Sequence, residues 1–150
     1  MWTKAAGIFL VLIGSLAAAG TAVAQVTVVA YAAAPLDSLE KGQLLKYFTG
    51  DTEYWPDDVP IVIVDLAAKG PIRDSFYAFL GKTSSRMRSI WLKRKLTGEG
   101  ELPESIASEE ELISKVASTA GAIGFVSAEI ARAHPEVKIL IGNIPLAEDH

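Results

Sequence analysis

The stretch Gly121-Ala122-Ile123-Gly124-Phe125-Val126 (GAIGFV) does most to decide the fold of this 150-residue chain. Gly121 follows a helical pattern and can adopt the positive φ that ends a helix. Ala122–Val126 has the length and apolar character of a short buried strand. Gly124 inside this strand lets a neighbouring backbone or helix approach closely. Both glycines also fit a packing role alone, because no polar cluster lies near them in sequence.

Strand and helix patterns alternate on both sides of this stretch. Gly70-Pro71 matches a helix entry with Pro at the first helical position, and Ser108 with Glu111 matches a capping box. The alternation predicts an α/β domain in three layers, with a mostly parallel sheet of about four strands and helices on both faces. The predicted strands are 25–32, 61–64, 122–126 and 137–141, and the predicted helices are 38–48, 71–80, 84–95, one beginning at 108, and 127–133.

Composition excludes several classes of protein. Half the residues are hydrophobic and 21% are charged, so the chain is not intrinsically disordered. There is no Cys, which excludes a disulfide scaffold, a thiol nucleophile and a Cys-ligated metal. The 14 basic and 18 acidic residues give a net charge of −4, which argues against non-specific binding to nucleic acid.

The amino-terminal residues have the organisation of a secretory signal peptide. Lys4 is the only charged residue before Asp37, and the apolar stretch Ala5–Leu16 is followed by small residues ending in Ala22-Val23-Ala24. This predicts cleavage between Ala24 and Gln25, which leaves residues 25–150 as one periplasmic or secreted domain without a permanent membrane span. The alternative is that residues 5–24 remain as a single membrane anchor.

A series of short motifs extends over roughly residues 26–141. The motifs are Phe48-Thr49-Gly50, Trp55-Pro56, Pro60–Val64, Phe76, Trp91, Thr97–Gly100, Pro103, Ser108, Val116 and Gly121–Val126. Their order and spacing resemble those of the phosphate-binding branch of the periplasmic substrate-binding proteins, the PstS-like proteins of phosphate ABC transporters. The resemblance implies the fold of one lobe of a type II periplasmic binding protein, mainly the second lobe, whereas full-length members enclose the ligand between two lobes.

The resemblance also implies a site for phosphate or another small oxyanion. Family members hold the anion with Ser-Gly-Thr at a helix N-terminus, and the matching residues here are Gly70-Pro71-Ile72. Both hydroxyls are absent and Pro71 lacks an N–H donor, but the helix end remains favourable for an anion. The residues of the predicted weak site are Lys69, Gly70, Ile72 and Arg73.

Lys69 and Arg73 flank this turn and would supply its positive charge, and Arg73 suits a bidentate contact with an oxyanion. The alternative is that Arg73 pairs with Asp74 or Asp65, or faces solvent. Both readings remain open at the level of sequence.

A second candidate surface is the basic helix near residue 90. Four of its cations, Arg86, Arg88, Lys93 and Lys95, predict a docking surface for an acidic partner or for anionic lipid headgroups; Arg94 lies among them. The alternative is an ordinary solvated helix face. This surface carries the second functional hypothesis, an interaction module of the cell envelope that contacts an envelope protein or a transporter permease without transporting a ligand. Association of two copies into a two-lobed cleft is left open.

No catalytic residue, cofactor or metal site is predicted. The two histidines, His134 and His150, lie in a turn and at the last position, away from any nucleophile motif. The chain has no P-loop and no G-x-G-x-x-G. Asp57-Asp58 could bind a divalent cation weakly, but adjacent Asp residues in a loop are ordinary turn formers. The sequence therefore predicts a binding protein rather than an enzyme.

Overall fold

In the computed structural model, which describes residues 25–147, strands and helices alternate along the chain. The signal peptide predicted for residues 1–24, and His150, lie outside the described residues. Within 25–147, no helix has the length and apolar character needed to cross a bilayer. The strands are β1 (Gln25–Tyr31), β2 (Val62–Leu66), β3 (Glu104–Ile106), β4 (Ala122–Ser127) and β5 (Val137–Pro145), and the helices are α1 (Lys41–Thr49), α2 (Pro71–Phe79), α3 (Ser84–Leu96), α4 (Glu109–Ser118) and α5 (Ala128–Ala133).

All five strands form one sheet in the order β3-β2-β4-β1-β5. β2 pairs in parallel with β3 and β4, whereas β1 pairs antiparallel with both β4 and β5. Four strands therefore share one direction and β1 alone runs against them. The predicted α/β class with a mostly parallel sheet is confirmed, and the sheet has five strands where about four were predicted.

The additional strand, β3, comes from a segment that the sequence analysis placed outside the sheet. Glu104–Ile106 is short and mostly exposed, and it pairs only with β2 at the edge of the sheet. An edge strand of three residues with a polar sequence carries no periodic apolar signal. β5 also extends to Pro145, four residues beyond the prediction, and includes a positive φ at Asn143.

The middle of the sheet separates two layers of helices. Phe125 of β4 stacks on Phe76 of α2 with ring centroids 4.0 Å apart, and Phe48 of α1 joins the same cluster. An alanine Cβ at the neighbouring Gly124 would instead lie 2.9 Å from Leu112 of α4. Because successive residues of a strand point to opposite faces, α1 and α2 cover one face and α4 covers the other.

Two tryptophans donate buried hydrogen bonds from their side chains to backbone carbonyls. Trp55 is 2% exposed, and its Nε1 donates to the Gly121 carbonyl oxygen at 2.9 Å. Trp91 of α3 donates from Nε1 to the Phe48 carbonyl oxygen at 2.7 Å. Trp55 therefore anchors its polar and mostly exposed loop to the core.

Gly121 and Gly124 both have structural reasons to be glycine. Gly121 has φ 81°, and a Cβ there would lie 2.1 Å from the Pro60 carbonyl oxygen. At Gly124, a Cβ would meet Leu112 and the Val64 carbonyl oxygen, the latter at 3.2 Å. These contacts support the packing interpretation of the GAIGFV stretch.

Candidate functional site

The carboxyl ends of β2, β3 and β4 lie at one edge of the sheet because these strands are parallel. The loop of residues 67–70 leaves β2 at this edge and leads directly into α2. In open α/β sheets, ligands bind at the carboxyl ends of the strands. The predicted residues Lys69, Gly70, Ile72 and Arg73 all belong to this connection.

The start of α2 differs from the starts of the other helices in residues 25–147. Gly70 is its N-cap, with φ 148° and no side chain to accept a hydrogen bond, and Pro71 occupies the first helical position as predicted. Of the other four helices, α3, α4 and α5 each have an N-cap side chain that accepts a backbone N–H, from Thr83, Ser108 and Ser127, and α1 begins with a capping box of Glu40 and Gln43. The Ile72 and Arg73 amides are therefore left for solvent or for an acceptor from outside the helix.

Arg73 is not a free surface cation. It is 9% exposed, and its Nη2 lies 3.2 Å from Oδ2 of Asp65 in a buried ion pair. Its guanidinium carbon lies 5.5 Å from the centre of the Tyr77 ring. The alternative pairing with Asp65 is thus the arrangement in the structure, while Lys69 remains exposed at the turn.

Asp65, near the end of β2, accepts hydrogen bonds from three side chains. Besides Arg73, the Tyr77 hydroxyl donates to Oδ1 at 2.5 Å and the Ser105 hydroxyl to Oδ2 at 3.4 Å. Burial raises the pKa of Tyr77, and the Asp65 charge and hydrogen bond raise it further. Tyr77 therefore stays protonated and remains a donor, so the carboxylate of Asp65 is well compensated although it is 2% exposed.

A second carboxylate lies at the same edge. Glu109, at the start of α4, accepts a hydrogen bond from the backbone N–H of Ser127 at the end of β4. This contact joins the start of α4 to the end of β4. The Glu109 carboxylate therefore adds negative charge to the carboxyl edge of the sheet, which disfavours an anion near the end of β4.

Asp65, Tyr77 and Glu109 are the members of this edge that sequence reasoning missed as site residues. Asp65 could have been identified because it directly follows the apolar run Ile61–Val64, and a buried carboxylate needs a compensating partner. Tyr77 lies four residues after Arg73 on α2, so both side chains can reach the same carboxylate. Glu109 gave no distinguishing signal, since acidic residues are ordinary in the first turn of a helix.

Two concave surfaces lie away from this edge. One, of about 390 Å³, is lined by the amino-terminal half of β2, Trp91, Arg94 and the loop 100–104. The other, of about 410 Å³, lies along α3. Its polar and charged lining is Thr49, Asp51, Arg86, Ser89, Lys93, Arg94 and Glu99.

Arg94 joins the walls of both surfaces. Its Nη2 lies 3.3 Å from Oε1 of Glu53, and its Nη1 lies 3.5 Å from Oε2 of Glu99. A Cβ at Gly50 would lie 2.6 Å from Arg94 Nε. Arg94 therefore acts as a structural clamp between the end of α1 and the loop after α3.

The four cations of the predicted docking surface have no such partners. Within residues 25–147, Arg86, Arg88, Lys93 and Lys95 form no ion pair, and all four are exposed. The structure thus places them on one solvent-facing helix, separate from the β2–α2 turn.

The acidic and histidine residues considered at the level of sequence do not converge. Among the described residues, no group of three or more His, Cys, Asp or Glu side chains is arranged to hold a metal ion. His134 lies beside Glu136, with Nδ1 and Oε1 2.7 Å apart, in the turn before β5. Asp58 has φ 64° in the loop after Trp55, as a turn former would.

Comparisons with known proteins identify the fold. No protein-family model matches the chain, and no curated protein sequence does. An ABC-type phosphate transport receptor from Vibrio cholerae superposes with a TM-score of 0.61 at 21% identity, covering 78% of this chain and 45% of the receptor.

Two further solved structures agree. A phosphate ABC transporter substrate-binding protein with bound phosphate from Clostridium perfringens gives a TM-score of 0.63 at 18% identity, and 44% of its length is covered. PstS from Borrelia burgdorferi gives 0.60 at 15% identity, with 46% of its length covered. The predicted resemblance is confirmed as a likeness of fold, and the chain spans less than half the length of each of these proteins.

Proposed function

We propose that this protein is a solute-binding protein that takes phosphate or a similar small oxyanion weakly at the start of α2. The single observation that carries the proposal is the uncapped first turn of α2, at the carboxyl edge of a sheet like those of phosphate receptors. Exported by the signal peptide predicted for residues 1–24, the protein would work outside the cytoplasm.

The proposed ligand contacts divide the four predicted residues into two roles. The Ile72 and Arg73 amides and the exposed Lys69 ammonium would contact the oxyanion. Gly70 supports this because it has no side chain that could accept a hydrogen bond from those amides. The Arg73 side chain would act as a positioning group, since Asp65 already holds its guanidinium beneath the turn.

Weak binding follows from the environment of the site. By itself, the lobe formed by residues 25–147 leaves one side of the oxyanion in water, where electrostatic attraction is weak. The Glu109 carboxylate at the same edge opposes a dianion, and Asp65 already offsets the charge of Arg73. We therefore expect a dissociation constant near the millimolar range, which corresponds to about 4 kcal/mol.

Isothermal titration with phosphate at low salt, with sulfate in parallel, tests this proposal. Lys69→Glu should weaken phosphate binding about fivefold, because an exposed contact of this kind contributes up to about 1 kcal/mol. Lys46→Glu is the matched control, since Lys46 is an exposed lysine on α1, remote in sequence from the turn. Absence of saturable heat at millimolar phosphate, or equal affinity in both variants, would overturn the proposed site.

A further inference from the structure

The outward face of α3 combines exposed leucines with unpaired cations. Leu92 is 46% exposed and Leu96 is 77% exposed, which are high values for large apolar side chains. They are four residues apart on the helix, so they form one continuous apolar ridge. Such a ridge on a solvent-facing helix requires an explanation that packing inside this protein does not supply.

The cations bracket this ridge on both sides. Met87 and Trp91 are buried and define the inward face of α3. At 100° per residue, Leu96 lies opposite that face, with Arg88 and Lys95 on one flank of the ridge and Arg86 and Lys93 on the other. Ser85 and Ser89 complete the outward face.

The charge of this helix opposes that of the whole protein. Ser84–Leu96 contains no acidic residue, whereas the full chain has a net charge of −4. Arg94 is neutralised by Glu53 and Glu99, but the four flanking cations have no ion-pair partner among the described residues. The face is therefore complementary to a surface that is negatively charged and has an accessible apolar layer.

We propose that α3 docks the protein on the surface of an anionic phospholipid bilayer. Leu92 and Leu96 would enter the boundary between headgroups and acyl chains, and the four cations would lie among the phosphates on either side. The two leucines protrude between cations on both flanks, which suits a flat, deformable lipid surface; on one flank, Arg86 and Lys93 also line the concave surface along α3. This inference is independent of oxyanion binding, because it uses none of the residues at the β2–α2 turn.

A site-specific probe can test the contact directly, because the chain has no Cys. Ser85→Cys, labelled with an environment-sensitive fluorophore, places the probe on the outward face of α3. Ser114→Cys, an exposed serine of α4, is the control position. The probe vesicles are phosphatidylcholine alone and phosphatidylcholine with 30 to 50% phosphatidylglycerol, a composition range of roughly physiological anionic charge density.

The expected result is a blue shift at position 85 with the phosphatidylglycerol vesicles, but not with phosphatidylcholine alone and not at position 114. Because the probe reports only on its own helix, insertion of the apolar residues 5–16 would not produce this signal. Arg88→Gln with Lys93→Gln should weaken partitioning by roughly 30-fold, since each cation near an anionic surface contributes about fivefold. Lys41→Gln with Lys46→Gln on α1 removes the same charge and should leave partitioning unchanged.

Variants of the two leucines distinguish binding to a bilayer from binding to a soluble polyanion. Leu92→Ser with Leu96→Ser should abolish the blue shift while salt-sensitive attraction to the vesicles persists. Polyglutamate serves as the soluble acidic probe. If it binds α3 with the same dependence on Arg88 and Lys93 while the phosphatidylglycerol vesicles produce no shift, the lipid proposal is overturned in favour of an acidic protein. A shift that is equal on neutral vesicles, or equal at positions 85 and 114, would also overturn it.

Discussion

Arginine side chains on neighbouring helices have opposite environments in this protein. Arg73 on α2 is 9% exposed and lies between Asp65 and the Tyr77 ring, whereas Arg88 on α3 is exposed and has no ion-pair partner in residues 25–147. α2 rests on the sheet, and α3 lies further out, against α1 and α2. The cation nearest the predicted ligand site is therefore used in an internal ion pair, while the charge on α3 remains available to an outside partner.

The largest expected effect comes from breaking the buried pair at β2. Asp65→Ala would leave the Arg73 guanidinium buried without its counter-charge, and such a loss costs about 3–5 kcal/mol in the free energy of unfolding. Chemical denaturation followed by tryptophan fluorescence measures this. Arg88→Ala on α3 is the comparison and should change the free energy by less than about 0.5 kcal/mol.

The same pair allows a rescue experiment. Replacing both partners, Asp65→Leu with Arg73→Met, removes the uncompensated charge and should recover most of the stability lost in Asp65→Ala. If the double variant were as unstable as the single one, Tyr77 and Ser105 rather than the ion pair would carry the contribution of Asp65.

Glycines give a second comparison between the core and the region of α3. Gly121 and Gly98 have φ values of 81° and 75°, but a Cβ at Gly121 would meet the Pro60 carbonyl oxygen, whereas one at Gly98 would meet nothing within 4 Å. Gly98→Ala should therefore cost only the backbone strain of about 1–2 kcal/mol. Gly121→Ala adds a steric clash and should cost about 3 kcal/mol or more, measured by thermal unfolding.

Much of the fold was predictable because local signals agreed with the final packing. Gly70-Pro71 and Ser108 begin helices where the sequence indicated, and GAIGFV forms the strand β4 at the centre of the sheet. The direction of β1 was not predictable, since an apolar strand has the same pattern whether it pairs parallel or antiparallel. β3 was missed because its three residues pair at an edge and carry almost no apolar surface.

The helix start at the candidate site was predictable, but the side-chain contacts around it were not. The sequence located the turn before α2 and named Asp65 among the alternative partners of Arg73. It could not show that Tyr77 and Ser105 converge on Asp65, because this depends on the pairing of β2 with β3 and on the rotation of α2. The contact between Glu109 and Ser127 is likewise a product of tertiary structure, as is the environment of the free Ile72 and Arg73 amides.

A smaller effect on stability is expected from Tyr77 at alkaline pH. The pKa of Tyr77 is raised by burial and by Asp65, so Tyr77 ionises in the unfolded chain from about pH 10 but stays protonated in the folded protein. The unfolded state then binds fewer protons, and stability falls with rising pH by about 1.4 kcal/mol per unit above that point. Tyr77→Phe should remove this component of the slope, leaving a smaller one from Tyr47, whose pKa burial also raises.

The smallest effect on stability is expected at α3, and it is the most informative for function. Arg88→Glu with Lys93→Glu alters two exposed side chains, so the free energy of unfolding should change by no more than about 0.5 kcal/mol. Docking on phosphatidylglycerol vesicles should nevertheless be lost, because both flanks of the Leu92 ridge would repel the headgroups. Loss of docking with stability preserved would separate the two regions by function. A large loss of stability would show that α3 belongs, like Arg73, to the internal charge balance of the fold.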